Sequence, residues 1–187
     1  MNPSIAKVLT ASRFCAYLIA LAWVIQPSLA QQKLDQLLVY GENFMFSVKE
    51  PPGWNGDITN SQKFESNVVL HEAGQPLDSI SGLIRVRVNK KVDENTRADL
   101  EEDMRAYRAQ YPKVQFKDIT ATNASYLCLG KVFYIPGKFY EYVAYVNPGS
   151  QKPVLFSVSM NTQKSEASAK ELGAFKSTIY SLTLLKP

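Results

Sequence analysis

The sequence predicts an α+β fold in which a mostly antiparallel sheet of about six to seven strands is flanked by helices. Short runs with alternating apolar and polar residues recur along most of the chain and call for half-buried strands. Two stretches, Thr96–Tyr111 and the residues after Ser165, carry apolar side chains at helical spacing instead. The order is three strands, a helix, four strands and a helix, so no helix has to bridge parallel strands.

The chain opens on an export leader, with Lys7 and Arg13 ahead of the apolar run "FCAYLIALAWVI" (Phe14–Ile25), then Pro27, Ser28 and Ala30. Cleavage is expected after Ala30. A retained anchor is the competing reading, but the run is far short of the roughly twenty apolar residues that span a bilayer. Cys15 stands at the start of that run and not behind it, so it is no lipid attachment site and leaves with the leader. The 157 residues from Gln31 to Pro187 then make one domain's worth of chain. Their formal charge falls from +4 to +2, too even a balance to argue for nucleic acid or a strongly anionic surface. Cys128 alone remains, so no internal disulfide is available and packing must hold the fold.

Residues 31–42, "QQKLDQLLVYGE", place Leu34, Leu37 and Leu38 at helical spacing without a cap and read as a lead-in of one or two turns. The domain proper is expected over 43–187. Phe44, Phe46 and Val48 alternate with Met45, Ser47 and Lys49 in a first strand that Pro51 and Pro52 end. Trp54 follows the Pro-Gly pair and is expected to close the core. Two more strands are expected in "FESNVVLHE" and "GLIRVRVNK"; in the latter Ile84, Val86 and Val88 share a buried face, and Arg85, Arg87 and Asn89 a wet or salt-bridged one. The first helix starts near Thr96, whose spacing to Asp99 resembles a capping box, presents Leu100, Met104, Tyr107 and Tyr111 as its stripe, and stops at Pro112. "KVQFKDI", "ASYLCLGKVFYI", "KFYEYVAYVN" and "KPVLFSVSMN" follow as antiparallel hairpins separated by Pro-Gly and Asn-Pro-Gly turns. The third of these is apolar on both faces and belongs in the sheet interior. A helix opening near Ser165, with Leu172, Phe175, Ile179 and Leu182 as its stripe, closes the chain.

Chemistry-bearing patterns are sparse. His71 and Cys128 are the histidine and cysteine of the mature chain, too few for a structural zinc site, and "HEAGQ" lacks the second histidine of a metalloprotease helix. A Cys–His nucleophilic pair would require the fold to bring them together. No phosphate-binding glycine loop is present, and "EED" at 101–103 reads as a solvated helix face. The aromatic block Phe133–Tyr145 reads as core more than as a stacking platform. Arg85, Arg87, Lys90 and Lys91 form the local basic cluster, either an edge strand guarded by charge or a docking patch for an acidic partner or anionic headgroups. Asn123-Ala124-Ser125 matches the N-glycosylation pattern.

The motif "FMFSVKEPPGW" and the order of elements together resemble the Mog1/PsbP/DcrB-like domains, small exported or organelle-lumen α/β/α sandwiches. The strand running into a P-G-W turn, the strand pair, the helix at Thr96–Tyr111, the antiparallel run Val114–Met160 and the closing "IYSLTLL" carry the resemblance across the mature chain. It implies binding or assembly in place of catalysis: the PsbP branch supports photosystem II, the Mog1 branch binds a small GTPase, and the DcrB branch belongs to bacterial envelopes. No catalytic residue carries over. The leading expectation is therefore a non-enzymatic, exported binding or assembly factor without cofactor or nucleic acid and with no transmembrane helix in the mature chain. It is expected in the periplasm, with the cell exterior or an organelle lumen as alternatives, and contacts an envelope protein through Arg85, Arg87, Lys90 and Lys91. The alternative is a carrier of a small apolar ligand lined by Tyr107, Phe133 and Tyr142. An enzyme comes third and would need a buried cluster around His71 or Cys128.

Overall fold

Alternating sequence becomes sheet almost throughout. The structure, a computed structural model, describes residues 36–77, 82–91, 96–149 and 152–185; the leader read at 1–30 lies outside them. Strands β1 (Gln36–Gly41), β2 (Phe44–Lys49) and β10 (Thr183–Leu185) form a three-stranded sheet in the order β1-β2-β10. Strands β3 (Trp54–Asp57), β4 (Val68–Glu72), β5 (Ile84–Lys90), β6 (Gln115–Asp118), β7 (Leu127–Ile135), β8 (Phe139–Asn147) and β9 (Val154–Gln163) form a seven-stranded sheet. Its order is β3-β4-β5-β9-β8-β7-β6, and every pairing is antiparallel. Helices α1 (Thr96–Gln110) and α2 (Ala169–Ser181) complete the expected α+β sandwich.

The period of two sorts the large sheet into two faces. Toward α2 and the small sheet lie Trp54, Val68, Leu70, Ile84, Val86, Tyr142, Ala144, Phe156 and Val158, packed with Phe46, Phe175 and Ile179 into the main core. Phe46 meets Phe156 edge to face at 5.3 Å. Toward α1 lie Phe133, Val143, Tyr145 and Leu155, packed with Leu100 of the helix. Strand β8 contributes to both clusters, which explains its two apolar faces and its interior place. Prolines and glycines build the corners as their φ preferences require. Trp54 N–H donates to the Pro51 carbonyl at 2.9 Å across Pro52 and Gly53, whose φ is +76°, the proline-then-glycine pattern of a type II turn. Pro136 and Gly137 repeat it between β7 and β8, with Lys138 N–H on the Ile135 carbonyl at 3.0 Å.

Several expectations are corrected. The stretch 31–42, read as a lead-in, contributes β1, which pairs with β2 from Gln36↔Lys49 to Gly41↔Phe44 and buries Val39. Its leucines suit a helix and a strand equally, and pairing with β2 decides between them. "WNGD" and "TLL" also become strands because partners are at hand. Helix α2 opens at Ala169, four residues after the expected opening near Ser165, with Ser168 as N-cap, its side chain and Glu171 forming a reciprocal capping box. It ends before Leu182, whose extended backbone starts the path into β10. The basic strand β5 is no edge: β4 and β9 flank it, and β3 and β6 are the edges of its sheet.

Candidate functional site

Helix α1 packs on β7 and β8, and the turn at Ser61–Phe64 packs on β4. Because Glu65, just after that turn, meets Arg87, both elements stand on the same face of the large sheet. Between them the faces of β5 and β9 stay uncovered and form a trough of about 260 Å³, lined by Arg85, Arg87, Ser157, Ser159, Glu141 and the α1 side chains Asp103 and Tyr107. The floor is polar by alternation: Arg85, Arg87 and Asn89 share this face of β5, and register sets Ser159 opposite Arg85 and Ser157 opposite Arg87. A second depression of about 210 Å³ extends it past Asn89, Lys90, Glu102 and Tyr145.

The charges in the trough are organised in pairs. Arg85 Nη2 donates to Glu141 Oε1 at 2.9 Å, and the Tyr107 hydroxyl donates to the other oxygen of the same carboxylate. The Tyr145 hydroxyl, on β8, donates to Asp103 on α1. Two tyrosine–carboxylate bonds therefore cross the helix–sheet interface in opposite directions. Burial, reinforced by the adjacent carboxylates, pushes both phenols far above their ordinary range, so they remain donors. Burial also pushes the Asp103 carboxyl up, against the pull of its Tyr145 bond. Arg87 Nε donates to the Glu65 carbonyl at 2.5 Å, and its Nη2 lies 3.3 Å from the Glu65 carboxylate.

The cluster read from the sequence is thus divided in space. Arg85 is bound to Glu141, and Lys91 Nζ donates to the Gly149 carbonyl at 2.6 Å, tying down the β8–β9 connection. Arg87, 43 % exposed along its side chain, lines the trough, and Lys90, exposed at the end of β5, borders the second depression. The three residues expected to line a carrier cavity do not all come together. Tyr107 and Phe133 pack together on the α1 face, ring centroids 4.6 Å apart, whereas Tyr142 is on the opposite face against Phe175, its hydroxyl accepting from Ala167 N–H. His71 and Cys128 lie on opposite faces of the sheet, with β5, β9 and β8 between their strands, so they form no nucleophilic pair. Burial pushes the Cys128 thiol up to about 11, away from the thiolate a nucleophile needs.

Glu141, Asp103, Ser157 and Ser159 were not singled out by sequence. Glu141 left a signal, since a carboxylate inside "FYEYVAYV" has to find a cation on a neighbouring strand. The serines left none. Asn123 has a structural role: its Nδ2 donates to the carbonyls of Ile179 at 2.7 Å and Leu182 at 2.9 Å, satisfying the C-terminal end of α2, while Oδ1 accepts from Ser125 and Tyr126 N–H.

Comparison with solved structures places this architecture. The solution structure of cyanobacterial PsbP (CyanoP) from Synechocystis sp. PCC 6803 superposes with a TM-score of 0.50 over 81 % of this chain and 93 % of that one. The fold is PsbP-like. Sequence identity is 12 %, so the likeness is one of fold. The sequence matches no protein-family model and no curated protein. No helix among the described residues is long and apolar enough to cross a membrane.

Proposed function

We propose that this PsbP-like chain is a non-enzymatic, exported binding or assembly factor of the bacterial envelope that works through protein–protein contacts, with the trough face as its contact surface. One observation carries the reading. The α2 face of the large sheet is filled by core, whereas the β5–β9 part of the other face is open, carries Arg87 and is bordered at the end of β5 by exposed Lys90. Charged side chains beside a rigid antiparallel floor suit a partner, because they orient an encounter at little conformational cost. The leader read at 1–30 supports export, and the binding and assembly roles implied by the family resemblance agree with both.

A photo-crosslinking residue in place of Lys90 tests the proposal, with the same probe in place of exposed Lys176 on α2 as reference. In envelope extract the first position should yield a discrete cross-linked product that disappears when Arg87→Glu is added, while the second yields none. Identical products from the two positions, or no product from Lys90, would count against the reading. Arg87 is the better reversal than Arg85, because Arg85→Glu sets two carboxylates against each other and confuses folding with binding.

A further inference from the structure

The trough exists because two small residues sit where core residues would close it. On the α1 side of β9, Leu155 is packed in the core, yet the next two residues of that face are Ser157 and Ser159, and the floor drops beside them. Arg87 is registered against Ser157 and Arg85 against Ser159, and the Ser157 hydroxyl accepts from Asn89 Nδ2 at 2.9 Å, which leaves its own hydrogen free to donate. The protein already shows what this surface holds: Arg85 and the Tyr107 hydroxyl bind one oxygen each of the Glu141 carboxylate. Arg87 repeats the arginine of that arrangement one step along β5, but its carboxylate, Glu65, is 88 % exposed, and an ion pair of that kind is weak and readily exchanged.

We propose that the trough is a carboxylate-binding site, in which the Arg87 guanidinium and the Ser157 and Ser159 hydroxyls receive the single carboxylate of a partner's acidic side chain or of a small organic acid. The inference rests on the trough face being the contact surface and names the chemistry it recognises. Arginine forks match carboxylates through paired N–H donors, and short hydroxyl side chains complete the shell without filling it. The charge of the lining selects the class. Arg85 and Arg87 are balanced by Asp103 and Glu141, so a monoanion displacing Glu65 is accommodated, whereas a phosphate dianion finds no surplus of positive charge. At about 260 Å³ the space suits an acidic side chain or a small acid.

The isotope-labelled protein is titrated separately, at constant ionic strength, with propionate, a terminally blocked peptide carrying a single glutamate and inorganic phosphate, while amide chemical shifts are followed. Saturable shifts at Arg87, Ser157 and Ser159 are expected with a carboxylate probe. They should need about tenfold more probe in Arg87→Gln, the weight of one charge-assisted hydrogen bond. In Ser159→Leu, which fills the trough and leaves every charge in place, they should be lost. An equal response to propionate and the peptide assigns a small acid, and a response to the peptide alone assigns a polypeptide carboxylate. Shifts that never saturate, affinities unchanged in both variants, or binding of phosphate alone overturns the site. A null titration beside an intact Lys90 cross-link removes this site and leaves the contact surface; a positive titration without the cross-link does the reverse.

Discussion

Trp54 stands 4 % exposed at the first position of β3, held there by the Pro51–Trp54 turn and packed into the main core. Its ring is buried among the main-core side chains, so its removal leaves a cavity there. Trp54→Ala is expected to cost about 3–5 kcal/mol in denaturant unfolding; a midpoint equal to the wild type's would show that the indole contributes nothing to the core. At this scale the sequence was partly legible. A tryptophan after Pro-Gly at a strand end announces a plug, and Glu141 within aromatic neighbours announces a buried partner. Arg85 as that partner was not legible, because 56 residues separate the two in sequence and register alone joins them. Asn123 likewise resembled a modification site until the carbonyls at the end of α2 claimed its amide.

Helix α1 is held to the sheet by apolar and polar contacts together. Leu100 is its buried anchor, Met104 and Tyr107 are half-buried, and the outer positions Glu101, Glu102 and Arg105 are exposed. The crossed pairs Tyr107–Glu141 and Tyr145–Asp103 supply the rest. Asp103 makes that attachment sensitive to pH. Burial first of all lifts its carboxyl above the ordinary 3.8, so the folded protein holds this proton more tightly than the unfolded chain does. Stability from such a group is full below the unfolded value and is lost as pH rises through the higher folded one. Asp57, lowered mainly by its bond from the Asn60 backbone, and Asp118, lowered by Lys131, work in the opposite sense, so the comparison has to be made against a variant. From about pH 3 to about pH 6, Asp103→Asn should gain in melting temperature relative to the wild type. A difference that stays flat across that range would show that Asp103 does not titrate with folding. The helix itself was legible, since Leu100, Met104, Tyr107 and Tyr111 recur on one stripe. What its charged side chains do was not, because Asp103 is exposed within "EED" as read, and nothing local tells that the Tyr145 hydroxyl donates to it.

At the scale of the molecule, the small sheet closes the main core from the side opposite the large sheet, and β1 is part of that closure. Val39 is 2 % exposed, and Leu37 packs against the same cluster. A chain beginning at Asn43 is therefore expected to melt lower by about 5 °C or more than one beginning at Gln31, since burying a single valine contributes about 1.5–3 kcal/mol. Equal melting temperatures would make β1 an ornament of the fold. By itself the sequence determined the helices, the main strands, their buried faces and the antiparallel hairpins from β6 to β9. Those follow from alternation, stripe spacing and turn residues, which act over a few neighbouring positions. Tertiary structure alone decided that β5 lies inside the sheet beside β9, that Arg85 meets Glu141, that Tyr142 lies across the sheet from Tyr107 and Phe133, and that two serines open a trough. Strand order and the side on which a helix settles come from pairing between distant segments, and no local period encodes which partner a strand will find.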